Sequence, residues 1–74
     1  MILKELDITP QKIIEARSKM NMTQYEFAHA IGISPRTLQG WEQGRRIPTR
    51  TAQVLLTLII QHPEKVMSVI KKPL

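Results

Sequence analysis

The apolar residues of this chain fall into short segments with helical spacing, and capping residues, prolines and glycines separate the segments. The first start signal is Thr9 followed by Pro10, because threonine can cap free amides and proline needs no hydrogen bond there. Ile13 and Ile14 follow on one helical face. This pattern predicts a first helix from about Pro10 to Met20.

A capping box opens the second predicted helix. Thr23 precedes Glu26 by three residues, which lets each side chain accept a hydrogen bond from the other residue's amide. The apolar pattern runs to about Ala30, and Gly32 follows where a left-handed residue ends a helix. The chain is therefore expected to turn sharply after the second helix.

The third predicted helix begins only a few residues later. Ser34 is a capping residue and Pro35 takes the first helical position, while Gly44 follows the expected last residue, Gln43.

Two further helices are predicted after the basic, non-helical segment 45–48. The fourth covers about Thr49 to Gln61, and Pro63 opens a fifth that reaches roughly Lys71. The prediction is a single all-α domain of five short helices, residues 1–74. Residues 1–8 could form an extended N-terminal arm with apolar positions Ile2, Leu3, Leu6 and Ile8.

The third helix has two different faces. Leu38 and Trp41 lie three residues apart and are expected to point inward. The outer face carries polar side chains and one glycine: Arg36, Gln39, Gly40 and Gln43. Arginine and glutamine can read base edges in a major groove, and a glycine would let the backbone approach DNA closely. Taken alone, this face could equally be a solvated surface with a weak glycine.

Net charge favours a polyanionic partner, since eleven Lys and Arg against six Asp and Glu leave +5. The chain has no cysteine, and its longest apolar run, 54–60, is far below the ~20 residues of a membrane span. We expect a soluble cytoplasmic protein. His29 and His62 are too few for a metal site, and Ser34 is a cap without an assignable base, so no enzyme activity, cofactor or small-molecule ligand is expected.

The segment "QYEFAHAIGISPRTLQGWEQ", residues 24–43, resembles the helix-turn-helix pattern throughout. Ala28 stands where two helices must cross closely, Gly32 where the turn is tight, and apolar residues hold the second helix against the first. The chain looks like the lambda-repressor-like (XRE) family, whose compact five-helix domain would cover about residues 9–71. It is especially similar to HigA-type antitoxins and their relatives, small repressors that bind their own operators and neutralise a toxin.

The resemblance implies which residues contact DNA. Base-reading positions fall on Pro35, Arg36, Thr37, Gln39 and Gly40. Because Pro35 and Gly40 lack the polar side chain that family members often have, Arg36 and Gln39 are expected to carry most direct readout. Phosphate contacts are expected from Gln24, Ser34, Gln43, Arg45, Arg46, Thr49 and Arg50. The alternative for the last three arginines is an ordinary solvated surface.

One internal ion pair is also implied. Glu42 lies near the C-terminal end of the third helix, where the helix dipole disfavours an anion by about 0.3–1 kcal/mol. The family pairs a glutamate and an arginine at the positions of Glu42 and Arg17, and a structural role for this pair is expected rather than a catalytic one.

The fourth and fifth helices carry apolar residues on nearly every side, which favours a homodimer through these helices over a covered core alone. The sequence therefore predicts a homodimeric repressor of a double-stranded DNA operator, most specifically the antitoxin of a toxin–antitoxin pair. The main alternative is a protein-interaction module that binds a toxin or another protein. A membrane-surface binder fits less well because the most apolar helix carries almost no charge, and an RNA-stacking platform lacks aromatic residues.

Overall fold

The computed structural model describes residues 7–71, and in that range the chain is an assembly of five α-helices. They are α1 (Pro10–Lys19), α2 (Gln24–Ile31), α3 (Pro35–Glu42), α4 (Arg50–Gln61) and α5 (Pro63–Lys71). The prediction of an all-α fold with five helices is confirmed. Three predicted ends differ by one residue because Met20, Gln43 and Thr49 are caps rather than helical residues. The second helix runs one residue further than predicted, to Ile31.

Side-chain caps fix where the helices begin. Thr9 accepts a hydrogen bond from the Lys12 amide at 3.2 Å, and Ser34 accepts one from the Thr37 amide at 3.1 Å. The reciprocal capping box of α2 is present, with Glu26 donating its amide to the Thr23 hydroxyl at 3.1 Å. These bonds satisfy amides that have no partner within a helix.

Left-handed residues end two of the predicted segments. Gly32 caps α2 with φ of 80° and Gly44 follows α3 with φ of 77°, a conformation that costs glycine no steric strain. Asn21 also has positive φ, at 55°, in the turn between α1 and α2. The sequence predicted a break between these two helices but not the left-handed conformation of Asn21, a region that asparagine tolerates better than most residues.

The core joins the first four helices around α1. Its buried members are Ile13, Ala16, Met20, Phe27, Ala28, Leu38, Trp41, Leu56 and Ile59. Leu38 is fully buried and Trp41 is 5 % exposed, so the predicted inward face of α3 is confirmed. Burial of this face turns the polar face of α3 away from the core.

Apolar surface remains outside the core on α4 and α5. Val54 and Leu58 are 42 % and 45 % exposed, and Val69 on α5 is 76 % exposed. Val66 and Met67 on α5 only partly cover the core. The predicted surplus is present, while the dimer itself remains a prediction.

Of the predicted N-terminal arm, Ile2, Leu3 and Leu6 lie outside the described residues. Ile8 is described, and it packs half-buried against the core. No helix within residues 7–71 has the length and apolar character needed to cross a membrane.

Candidate nucleic-acid interface

The start of α3 is held rigidly by its cap. The Ser34 hydroxyl accepts the Thr37 amide and also donates to the Thr37 hydroxyl at 2.9 Å, which occupies both predicted contact residues in a local motif. Pro35 takes the first helical position, and Arg36 beside it is exposed. The N-terminal turn of α3 therefore presents the Arg36 side chain from a fixed backbone.

An open polar cleft lies along the outer face of α3. Its volume is about 320 Å³, and its lining residues are Arg36, Gln39, Gly40, Arg45 and Arg46. The cleft thus brings together side chains that were assigned separately to bases and to phosphates. Three guanidinium groups beside one exposed amide form a surface suited to a polyanion with hydrogen-bonding edges.

Gly40 is not the open backbone that the sequence predicted. That expectation is wrong because Gly40 is buried, and the side chain of Arg46 lies against it. A Cβ atom on Gly40 would lie 3.0 Å from Cδ and 3.1 Å from Cγ of Arg46. The glycine therefore makes room for the arginine stem, and a direct role of Gly40 in DNA contact stays a prediction.

The loop after α3 folds back onto the helix. The carbonyl oxygen of Gly40 accepts the amide of Arg45 at 2.8 Å and the amide of Arg46 at 3.1 Å. The Arg45 guanidinium also donates to the side-chain oxygen of Gln43. These contacts place two exposed arginines immediately beside the outer face of α3.

A buried network holds the C-terminal end of α3. Arg17 donates through Nε to Glu42 Oε2 at 2.8 Å and through Nη2 to Glu42 Oε1 at 3.0 Å. The ion pair implied by the resemblance is thus present and bidentate, and the Glu42 side chain is only 5 % exposed. It joins α1 to α3 at the end where the helix dipole repels a carboxylate.

Gln24 belongs to the same network, which the sequence did not predict. Its Nε2 donates to Glu42 Oε1 at 2.9 Å, so at least one of its amide hydrogens has an internal partner. A phosphate contact for Gln24 remains a prediction. No local spacing signals this bond, because the two residues come from different helices and meet only after folding.

The electrostatics of the network keep both partners charged. Burial raises the pKa of Glu42, but hydrogen bonds from Arg17 and Gln24, together with the charge of Arg17, outweigh it and lower the pKa. The hydrogen bond to Glu42 raises the pKa of Arg17 against the opposing effect of burial. The pair therefore acts as a structural clamp, with no proton to exchange near neutral pH.

The remaining predicted phosphate residues lie at the start of α4. Thr49 caps the helix by accepting the Ala52 amide at 3.3 Å, and Arg50 is its first residue. Ile47, in the loop before them, is 84 % exposed, and the pattern of apolar residues along the sequence did not indicate this. An aliphatic residue flanked by arginine and proline gives no periodic signal that could have identified it.

Potential metal ligands are not clustered in the described part of the chain. His29 is exposed on α2 and His62 caps the end of α4. Residues 7–71 contain no group of three or more His, Cys, Asp or Glu that could hold a metal ion.

Comparison with known proteins places these features in context. Residues 13–56 match the helix-turn-helix family model HTH_3. The chain is 45 % identical over 60 residues to Antitoxin HigA-2 of Vibrio cholerae, a match covering 81 % of this chain and 58 % of that protein. It is 40 % identical over 55 residues to the Type II methyltransferase M1.ScrFI of Lactococcus lactis subsp. cremoris, covering 70 % of this chain and 13 % of the enzyme. The chain thus spans less than two thirds of either relative.

Proposed function

This chain belongs to the helix-turn-helix family, and we propose that it is a sequence-specific DNA-binding transcriptional repressor that places α3 in a major groove. The observation that carries the proposal is the two-sided α3. Leu38 and Trp41 fix one face in the core, while Arg36 and Gln39 line a basic cleft on the other. This is the arrangement by which a helix-turn-helix presents its second helix to base edges.

Direct readout is assigned first to Arg36 and Gln39. Arginine pairs best with guanine through O6 and N7, and glutamine pairs with adenine through N6 and N7. Both side chains are exposed and three residues apart, so they address neighbouring base pairs from one helical face. Pro35 and Thr37 complete the first turn of the proposed contact face, and the contribution proposed for the buried Gly40 is to leave room for the stem of Arg46.

Phosphate contacts are proposed on both sides of α3. Gln24 and Ser34 lie at or beside the starts of α2 and α3, where free amides favour an anion. On the other side, the proposed contacts are Gln43, Arg45, Arg46, Thr49 and Arg50. Such contacts position the helix and carry no sequence information of their own.

A homodimer through α4 and α5 is part of the proposal. Exposed Val54, Leu58 and Val69 supply apolar surface that a second copy would cover. One recognition helix reads few base pairs, and a two-fold dimer doubles the site. The dimer therefore serves both solubility and specificity.

The narrower proposal is that this protein is the antitoxin of a type II toxin–antitoxin pair and represses its own promoter. Identity of 45 % to Antitoxin HigA-2 supports it. The test is expression of the neighbouring open reading frame, which should arrest growth alone and permit growth when this chain is co-expressed. If the neighbouring product is harmless, or if this chain does not restore growth, the antitoxin assignment fails.

DNA binding itself is tested by selecting duplexes from a random library with the wild-type protein, then titrating the enriched and scrambled duplexes by fluorescence anisotropy. Arg36→Ala should lose about 1–3 kcal/mol on the enriched duplex and little on the scrambled one. Lys65→Ala is the control, since it removes the same charge from an exposed position on α5. If the wild type enriches no sequence and binds no duplex at physiological salt, the proposal fails and the protein-interaction alternative replaces it.

A further inference from the structure

Residue 40 contributes no side chain to the outer face of α3, the face that carries Arg36 and Gln39. Residue 40 follows Arg36 by four positions, so any side chain there would project from the same face of α3. Glycine supplies no side chain, and a glycine inside a helix is less stable than an alanine. Something other than helix stability must therefore account for the glycine.

The side chain of Arg46 lies where a side chain at position 40 would begin. The ideal Cβ position of residue 40 lies 3.0 Å from Arg46 Cδ, 3.1 Å from Cγ and 3.4 Å from Cβ. Three consecutive carbons of the arginine thus pass across the Gly40 backbone, which they bury while Arg46 itself remains exposed. The amide of Arg46, bound to the Gly40 carbonyl at 3.1 Å, anchors the same residue at its backbone.

We propose that Arg46 takes the place of the missing side chain at position 40 and reads a base edge, with a guanine in the major groove as its target. This inference rests on the proposed DNA-binding function and deepens it. Arg46 shares one cleft with Arg36 and Gln39, the residues assigned to direct readout. The inference therefore moves Arg46 from the proposed phosphate contacts to the residues that determine specificity.

The packing distinguishes this role from a phosphate contact. A phosphate can be reached by a flexible arginine from many directions, whereas a bidentate contact to guanine needs a guanidinium held in one orientation. The stem of Arg46 packs along α3 over Gly40, where a larger residue would displace it. A side chain held in this way loses less conformational freedom on binding.

Two substitutions should therefore alter the same base preference by different routes. Arg46→Ala removes the guanidinium, and Gly40→Ala keeps every charge but places a methyl group where the arginine stem lies. The probes are the duplex enriched from a random library by the wild type, its single-base-pair variants, and a scrambled duplex. Arg46→Ala should weaken binding to the enriched duplex by roughly 5- to 150-fold. Gly40→Ala, which only displaces the arginine stem, should weaken it less, and both variants should flatten discrimination at one shared base pair.

Folding and charge effects are separated by further measurements. Gly40→Ala should melt near the wild-type temperature, since the helix preference of alanine offsets the displacement of the exposed arginine stem, and should keep the wild-type salt slope. Arg46→Lys keeps the stem and the charge but lacks the planar fork, so it should relax the same base preference while binding scrambled DNA like the wild type. Arg45→Ala is the matched control, expected to weaken all duplexes alike.

The contrary results are equally specific. Equal weakening of the enriched and scrambled duplexes by Arg46→Ala, with the salt slope reduced by about 0.9, would identify a phosphate contact and overturn the inference. If Gly40→Ala keeps the wild-type base preference, the proposal that Gly40 positions the side chain of Arg46 is overturned. Either result leaves the proposed function standing, whereas failure of the wild type to enrich any sequence refutes the function itself.

Discussion

Replacement of Glu42 is the sharpest test of how α3 is held. Its carboxylate accepts two hydrogen bonds from Arg17 and one from Gln24, at 2.8, 3.0 and 2.9 Å. Glu42→Gln keeps the shape but substitutes an NH₂ group for one oxygen. If the remaining oxygen takes the Oε1 position, which accepts hydrogen bonds from both Arg17 and Gln24, the new amide NH₂ group faces the Nε–H of Arg17. Two donors then point at one another.

The magnitude follows from these contacts. One charge-assisted hydrogen bond contributes about 1.5–3 kcal/mol, and removing an anion from the end of α3 returns about 0.3–1 kcal/mol. Glu42→Gln should therefore destabilise the domain by about 1–2 kcal/mol. Glu42→Ala removes all three acceptor contacts, and breaking a buried pair costs about 3–5 kcal/mol. Since the Arg17 side chain is 23 % exposed and can reach water, we expect about 2–4 kcal/mol.

Urea titration monitored by circular dichroism at neutral pH measures both variants. Glu15→Ala is the control, because Glu15 meets Lys19 at 3.9 Å with both side chains more than 40 % exposed, and such a pair contributes less than about 1 kcal/mol. If the free energy of unfolding of Glu42→Ala lies within about 0.5 kcal/mol of the wild-type value, the network does not stabilise the fold and the reasoning is refuted.

The same variants carry a pH signature. The folded-state pKa of Glu42 lies below its ordinary value of 4.5, so the carboxylate's contribution is present in full above that value. It is lost as the pH falls through the lower, folded-state pKa. The stability difference between the wild type and Glu42→Gln should therefore shrink on acidification below about pH 4.5. A difference that stays constant down to pH 2 would show that the charge of Glu42 is irrelevant.

Two further predictions concern the turn and the dimer. Gly32→Ala should lower the free energy of unfolding in a urea titration by about 1 kcal/mol, from backbone strain alone, since φ is 80° and nothing lies within 4 Å of the added methyl group. Gly32→Asn should lower it less, and an equal loss in both variants would contradict backbone strain as the cause. Leu58→Glu should convert a dimer to a monomer in sedimentation at micromolar concentration, whereas Ile47→Glu, the same kind of change at a more exposed aliphatic residue outside α4 and α5, should leave the dimer intact. A wild type that sediments only as a monomer, with and without DNA, contradicts the dimer.

Local chemistry made the helix starts predictable. Thr9, Ser34 and the capping box beginning at Thr23 act over three residues, so the sequence alone determines their hydrogen bonds. Spacing likewise identified Leu38 and Trp41 as the inward face of α3, because helical periodicity needs no knowledge of the partner helix.

Contacts between residues that are distant in the sequence were harder to predict. The Arg17–Glu42 pair came from the family resemblance, and Gln24 joins it from a third helix without any signal in its own neighbourhood. Gly40 was misread for a related reason. A glycine on a helical surface looks open until the following loop is placed, and here the loop returns Arg46 onto it.

The two ends of α3 are fixed by different means before any ligand is bound. The Ser34 cap holds its first turn, and the buried Glu42 carboxylate holds its last residue to α1 and α2. An eight-residue helix would have little stability alone, so its orientation depends on these attachments and on the two buried side chains between them. Because orientation is settled in the free protein, the proposed DNA binding need not supply that ordering free energy. The readout proposed for the polar face of α3 can therefore change without a change of the fold, because the residues that hold the helix lie at its ends and on its buried face.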